Sequence, residues 1–107
     1  MKDIKKLFGL KIKEIRKKKL MTQAQLAEMV SVDDKHISCI ESGKNFPSAI
    51  LISKLAEALG VEPKDLFEFY YLDEPDNLTE DIIKMLNNLN EEELRLTHKY
   101  IRTFILK

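Results

Sequence analysis

Residues 22–43, TQAQLAEMVSVDDKHISCIESG, read as a helix, a short turn and a second helix. Thr22-Gln23-Ala24-Gln25 is a capping box, in which the Thr22 hydroxyl accepts from the third helical amide and Gln25 reaches back to the cap. The helix it opens turns Leu26, Ala27 and Val30 inward. Asp33 is the next N-cap, and Asp34 follows in the first turn, where the helix dipole favours a negative charge. Ile37 and Ile40 face inward on this second helix, and Gly43, a natural left-handed stop, predicts its end near Ser42. Ala27 is small where the two helices would cross closely, and Val30 and Val32 flank the turn.

Helical periodicity continues on both sides. Phe8, Ile12 and Ile15 recur at i, i+4 and i+7, which predicts a helix over residues 4–18. Pro47-Ser48 opens a helix over 49–59 with Ile50, Leu51, Leu55, Ala58 and Leu59 as its apolar set and Gly60 as its end. Pro63 suits the first position of a fifth helix over 63–70, containing Leu66, Phe67 and Tyr70. Residues 72–77, LDEPDN, read as a linker. Two further helices are expected: one over 79–89, capped by Asn77-Leu78-Thr79-Glu80, and one from the capping box Asn90-Glu91-Glu92-Glu93 to residue 105. No run of real length alternates with period two, so the expected fold class is all-α.

The chain has 107 residues, 44% of them hydrophobic and 34% charged, which suits a folded domain rather than a disordered or fibrous chain. Its zero net charge hides an asymmetry: residues 1–60 carry +5 and residues 61–107 carry −5, while the first twenty alone carry +7. A basic front permits a nucleic-acid partner; a solvated lysine-rich helix is the plainer account of the same charges. Cys39 is the single cysteine, so neither an internal disulfide nor a cysteine cluster for zinc is available, and a reducing cytoplasm is the expected location. No apolar run suits a signal peptide or a membrane span. No motif calls for a metal or cofactor. Enzyme readings fare badly: there is no Gly-rich phosphate loop and no nucleophile–base spacing. Glu91, Glu92 and Glu93 fan across roughly 200 degrees of a helix and cannot converge on a cation.

Two short helices joined by a tight turn leave the outer face of the second free to enter a major groove. The residues also carry a resemblance. Ile12, Ile15 and Arg16, then Thr22-Gln23, Leu26-Ala27, Val32, Ile37-Ser38, Ile40-Glu41 and Gly43-Lys44, followed by Pro47-Ser48, Leu55-Ala56, Ala58-Leu59-Gly60-Val61 and Leu66-Phe67, are similar to the helix-turn-helix domain of the lambdoid repressor and Cro family. The resemblance spans residues 9–67. It implies a five-helix DNA-binding domain and sequence-specific binding to a duplex operator, with regulation of transcription, most simply repression by occupancy. Leu20 and Ser31 stand where the family usually has Gly; a left-handed backbone at either would cost on the order of 1 kcal/mol.

The resemblance also implies roles for single residues. Exposed early residues of the third helix would read bases: Asp34, Lys35, His36, Ser38 and Cys39. Lys35 can donate to guanine, Asp34 can accept from a cytosine amino group, and Cys39 could lie near a thymine methyl. Against this, His36 could be a helix residue without a role, and Cys39 a half-buried filler beside Ile40. The expected phosphate set is Arg16, Lys19, Thr22, Gln23, Lys44 and Asn45, with Gln23 at a helix N-terminus that welcomes an anion. Arg16 could instead pair with Glu41.

Residues 1–71 thus read as the DNA-binding domain and 76–107 as a C-terminal helical hairpin. The hairpin has more apolar side chains than it can bury against itself. Ile82, Ile83, Leu86, Leu89, Leu94, Ile101, Phe104 and Ile105 are therefore expected to hold a homodimer, and a twofold dimer reads a palindrome with half-sites about 34–36 Å apart or a multiple of that. The hairpin could instead fold back on the first domain. Two rival functions stay open: an antitoxin or controller protein, and a protein-interaction adaptor that has lost DNA binding. Either leaves room for an unidentified protein partner.

Overall fold

The computed structural model describes residues 2–106, and every regular element among them is helical. The chain divides into two compact units, Met1–Asp73 and Glu74–Lys107. The first holds α1 (Ile4–Lys18), α2 (Gln23–Met29), α3 (Asp34–Glu41) and α4 (Ala49–Leu59), followed by 3-10 turns at Pro63–Phe67 and Tyr70–Leu72. The second holds α5 (Pro75–Asn87) and α6 (Glu91–Ile105).

Local chemistry sets most helix starts. Asp3 caps α1, Asp33 caps α3 and Ser48 caps α4, each side chain accepting an amide three residues on. The boxes Thr22–Gln25 and Asn90–Glu93 both form in full. Leu7, Phe8, Ile12 and Ile15 of α1 meet Leu26, Ala27, Ile37 and Ile40 from the two-helix unit, with Leu51, Leu55, Ala56 and Leu59 of α4 completing the core. Gly9 permits this packing: a Cβ there would stand 2.3 Å from the Ile40 carbonyl oxygen and 2.7 Å from that of Glu41. Leu20 and Ser31 do adopt left-handed backbones, with φ of 59° and 61°.

Three expectations are corrected. Ile50 is 72% exposed and Ala56 is buried, because Leu51, Leu55 and Leu59 define the inward face and Ile50 lies about 100 degrees away from it. The fifth α-helix is two 3-10 turns instead. The Asp65 carboxylate accepts the Glu62 amide at 2.9 Å, closing a tight turn, and the break after Phe67 lets Phe69 reach the core. The linker is shorter than 72–77: Pro75 takes the first position of α5, where its fixed φ is pre-organised for a helix. Thr79 accordingly lies inside α5, its hydroxyl donating back to the Pro75 carbonyl at 2.9 Å. In the second unit no described residue is buried.

Candidate nucleic-acid interface

The turn between α2 and α3 closes through the Val32 amide, which donates to the Ala27 carbonyl at 3.0 Å. Asp33 then starts α3 by accepting the His36 amide at 2.8 Å. With Ile37 and Ile40 buried, α3 turns Asp34, Lys35 and Ser38 to solvent, while His36 and Cys39 are half-buried. Of the five expected base readers, three thus stand fully on the outer face. At the far end the Lys44 and Asn45 amides both return to the Cys39 carbonyl, at 2.9 and 3.1 Å, so that these two exposed residues sit against the end of α3.

Arg16 is a correction within the phosphate set. It is 7% exposed, and its Nε and Nη2 donate to the two Glu41 carboxylate oxygens at 2.7 and 3.0 Å. Nη1 donates to the Met21 carbonyl at 2.7 Å. The hydrogen bonds of Glu41 hold the guanidinium pKa above its ordinary value, against the effect of burial. A guanidinium with this side-on pairing has its donors turned inward, and removing one partner of such a buried pair costs about 3–5 kcal/mol. Arg16 therefore takes the Glu41 pairing and ties α1 to α3.

The same carboxylate reaches α2: Gln23 Nε2 donates to Glu41 Oε1 at 3.0 Å. This bond brings the start of α2 to the end of α3, three residues before Lys44. Gln23 is half-buried and keeps a second amide N–H beyond the one bound to Glu41. The Thr22 hydroxyl accepts the Gln25 amide and Thr22 is exposed. Lys17, Lys18 and Lys19 are exposed, and the Lys19 ammonium lies beside Gly60 at the C-terminal end of α4, where a helix dipole favours a cation. The spacing of Glu41 from Gln23 carried no local signal; only the tertiary fold joins them. Among the described residues no group of three or more His, Cys, Asp or Glu side chains is placed to hold a metal ion, and no helix is long and apolar enough to cross a membrane.

The arrangement has known counterparts. Residues 12–66 match the family described as Helix-turn-helix. The control protein C.BamHI of Bacillus amyloliquefaciens is 43% identical over 68 residues, which are 63% of this chain and 84% of that protein. The restriction-modification controller protein C.AhdI of Aeromonas hydrophila superposes with a TM-score of 0.57 at 35% identity, over 58% of this chain and 94% of that one. The clp gene regulator ClgR of Corynebacterium glutamicum gives 0.66 at 25% identity, over 78% of this chain and 89% of that one. With α2 and α3 as its helix-turn-helix unit, the chain belongs to the helix-turn-helix family and is a DNA-binding transcriptional regulator.

Proposed function

We propose that the protein works in the cytoplasm as a homodimer on a palindromic operator and represses transcription by occupancy. In this reading residues 1–71 bind DNA and residues 76–107 join the two copies. The observation that carries the DNA contact is the outer face of α3, where Asp34, Lys35 and Ser38 are exposed and Lys44 and Asn45 close its end. Base discrimination falls to the face of α3; Lys44, Asn45 and Gln23 supply phosphate contacts that set register and affinity.

Two features support the dimer. α5 and α6 leave Ile82, Ile83, Leu94, Ile101, Phe104 and Ile105 exposed, with Leu86 and Leu89 half-buried, more apolar surface than a lone pair of helices covers. The charges are also complementary: α5 carries Asp76 and Glu80 in its first half, and α6 carries Lys99 and Arg102 in its second half. Antiparallel contact of α5 with α6 of a second copy brings these together.

The test uses duplexes selected by the full-length protein from a random-sequence pool. Lys35→Ala should narrow the preference for the selected duplex over a scrambled one by roughly 1–3 kcal/mol. Lys44→Ala should weaken binding to both about equally and flatten the salt dependence by about one charge. Equal losses on both duplexes for both variants would remove Lys35 from base readout. A second reading, control of a restriction–modification system, is favoured by the likeness to C.BamHI and C.AhdI. It requires the selected duplex to match a site beside the genes of such a system.

A further inference from the structure

A carboxylate at the end of α3 holds the first residue of α2. Glu41 is buried, 6% exposed, and its Oε1 accepts from Gln23 Nε2 at 3.0 Å. An ionised carboxylate offers only acceptors, so it holds the amide by its nitrogen end. A phosphate also offers only acceptors, and the oxygen end of the amide would repel it. The partner inside the fold therefore engages the same end of Gln23 that a phosphate requires, and the second N–H of that nitrogen stays available. Gln23 is half-buried, so solvent still reaches it. A buried carboxylate keeps its charge only when that charge is matched. Arg16 matches it: Nε donates to Oε2 at 2.7 Å and Nη2 to Oε1 at 3.0 Å. Oε1 thus accepts from Arg16 and Gln23 at once, and the negative charge near the proposed phosphate contact is offset within the pair. Arg16 also donates through Nη1 to the Met21 carbonyl at 2.7 Å, two residues before Gln23. The side chain of Gln23 and the backbone leading into it are tied to one buried ion pair.

We infer that Glu41 is a positioning residue for phosphate binding, which orders the Gln23 amide by its nitrogen end before DNA arrives. The inference rests on the reading of Gln23 as a phosphate contact. A glutamine side chain that is loose in the free protein loses its rotamer freedom on binding; one already held does not, and affinity rises by the difference. Phosphate contacts also set the register of a protein on the duplex. Glu41 is the last residue of α3, the helix proposed to read bases. One hydrogen bond therefore fixes the phosphate donor on α2 relative to that helix, across 18 residues of sequence.

The experiment titrates the full-length wild type, Gln23→Ala, Glu41→Gln and the double variant against the pool-selected duplex and a scrambled one. It is run at a temperature at which circular dichroism shows each protein folded. Gln23→Ala should weaken binding to both duplexes by roughly tenfold per half-site, the worth of a hydrogen bond to a charged group. Its salt dependence should match that of the wild type, because no cation is removed. Glu41→Gln should weaken both by about threefold per half-site, through the order that Gln23 then loses. In the Gln23→Ala background the same substitution should cost nothing further, since the group it positions is gone. A Glu41→Gln protein that binds as the wild type does overturns the assignment. So does a Glu41→Gln loss as large in the Gln23→Ala background as without it, which would make Glu41 a structural residue only. Glu41→Gln leaves Arg16 without its charged partner, and if that variant does not fold the wild type alone decides. The nuclear magnetic resonance order parameter of the Gln23 side-chain nitrogen in the free protein should lie near the roughly 0.85 of rigid backbone, and a value below about 0.6 overturns the assignment. A Gln23→Ala protein that binds both duplexes as the wild type does overturns the phosphate reading of Gln23 instead, and the role of Glu41 falls with it.

Discussion

Glu14 shows how a single side chain can link two parts of the chain and make that link pH-sensitive. The hydrogen bond from Tyr71 holds its carboxyl below the ordinary value of 4.5; burial opposes this, and the hydrogen bond and charge of Lys11 reinforce it. In the unfolded chain Glu14 takes up its proton at the ordinary value, so the bridge contributes fully above that value. Its contribution is lost as pH falls through the lowered folded value, since there the unfolded state binds more protons. Glu14→Gln should therefore be less stable than the wild type at about pH 7, with a narrower gap at an acid pH below the ordinary carboxyl value. Urea unfolding of both proteins at the two pH values measures it, and a gap of constant size would refute the bridge. Leu20 is the opposite kind of residue: 91% exposed and left-handed, it bears a backbone cost that no contact of its side chain explains.

At the scale of elements, the tight contact is between α1 and the end of α3. Gly9 sits in the middle of α1, where helix propensity alone favours Ala by roughly 1 kcal/mol. The carbonyls of Ile40 and Glu41 occupy the space of a Cβ, so the propensity gain is outweighed. Gly9→Ala should lower stability by about 1–3 kcal/mol, through the backbone shift that overpacking forces. It should also weaken DNA binding more than that loss explains, because the shifted element is α3, the helix proposed to read bases. Thermal unfolding and duplex titration of the same sample check both; a Gly9→Ala protein as stable as the wild type would show that α1 and α3 can part without cost. The Arg16–Glu41–Gln23 network works at the same scale, since one carboxylate joins α1, α2 and α3.

For the whole molecule, the separation of charge matters more than its total. The +5 of residues 1–60 suits a phosphate backbone, while the −5 of residues 61–107 keeps the second part from competing for it. The unburied apolar side chains of α5 and α6 suit a second copy. Light scattering on the full chain should give twice its mass of 12.5 kDa. Replacing Leu86 and Ile101 together by Glu should return it to one chain mass, with the circular dichroism of the first unit retained and operator affinity reduced. A double variant that remains dimeric would move the interface off α5 and α6.

What the sequence determined by itself is local. Thr22, Asp33, Ser48 and Asn90 announce their helices because a cap is an interaction over three residues, complete before any tertiary contact forms. The helix-turn-helix unit was legible for the same reason: both its helix starts and its inward residues lie within one stretch of twenty-two residues. What only the tertiary structure decided depends on partners far along the chain. Arg16 turned inward because Glu41, twenty-five residues on, offered a buried carboxylate. Tyr71 reached Glu14 and Lys11 across 57 and 60 residues. Gly9 was needed because the end of α3 arrived there, and Ile50 faced water because the core took the other side of α4. Caps and periodicity do not encode such choices; they follow from which surfaces meet once the helices pack, where burial and paired charge outweigh local preference.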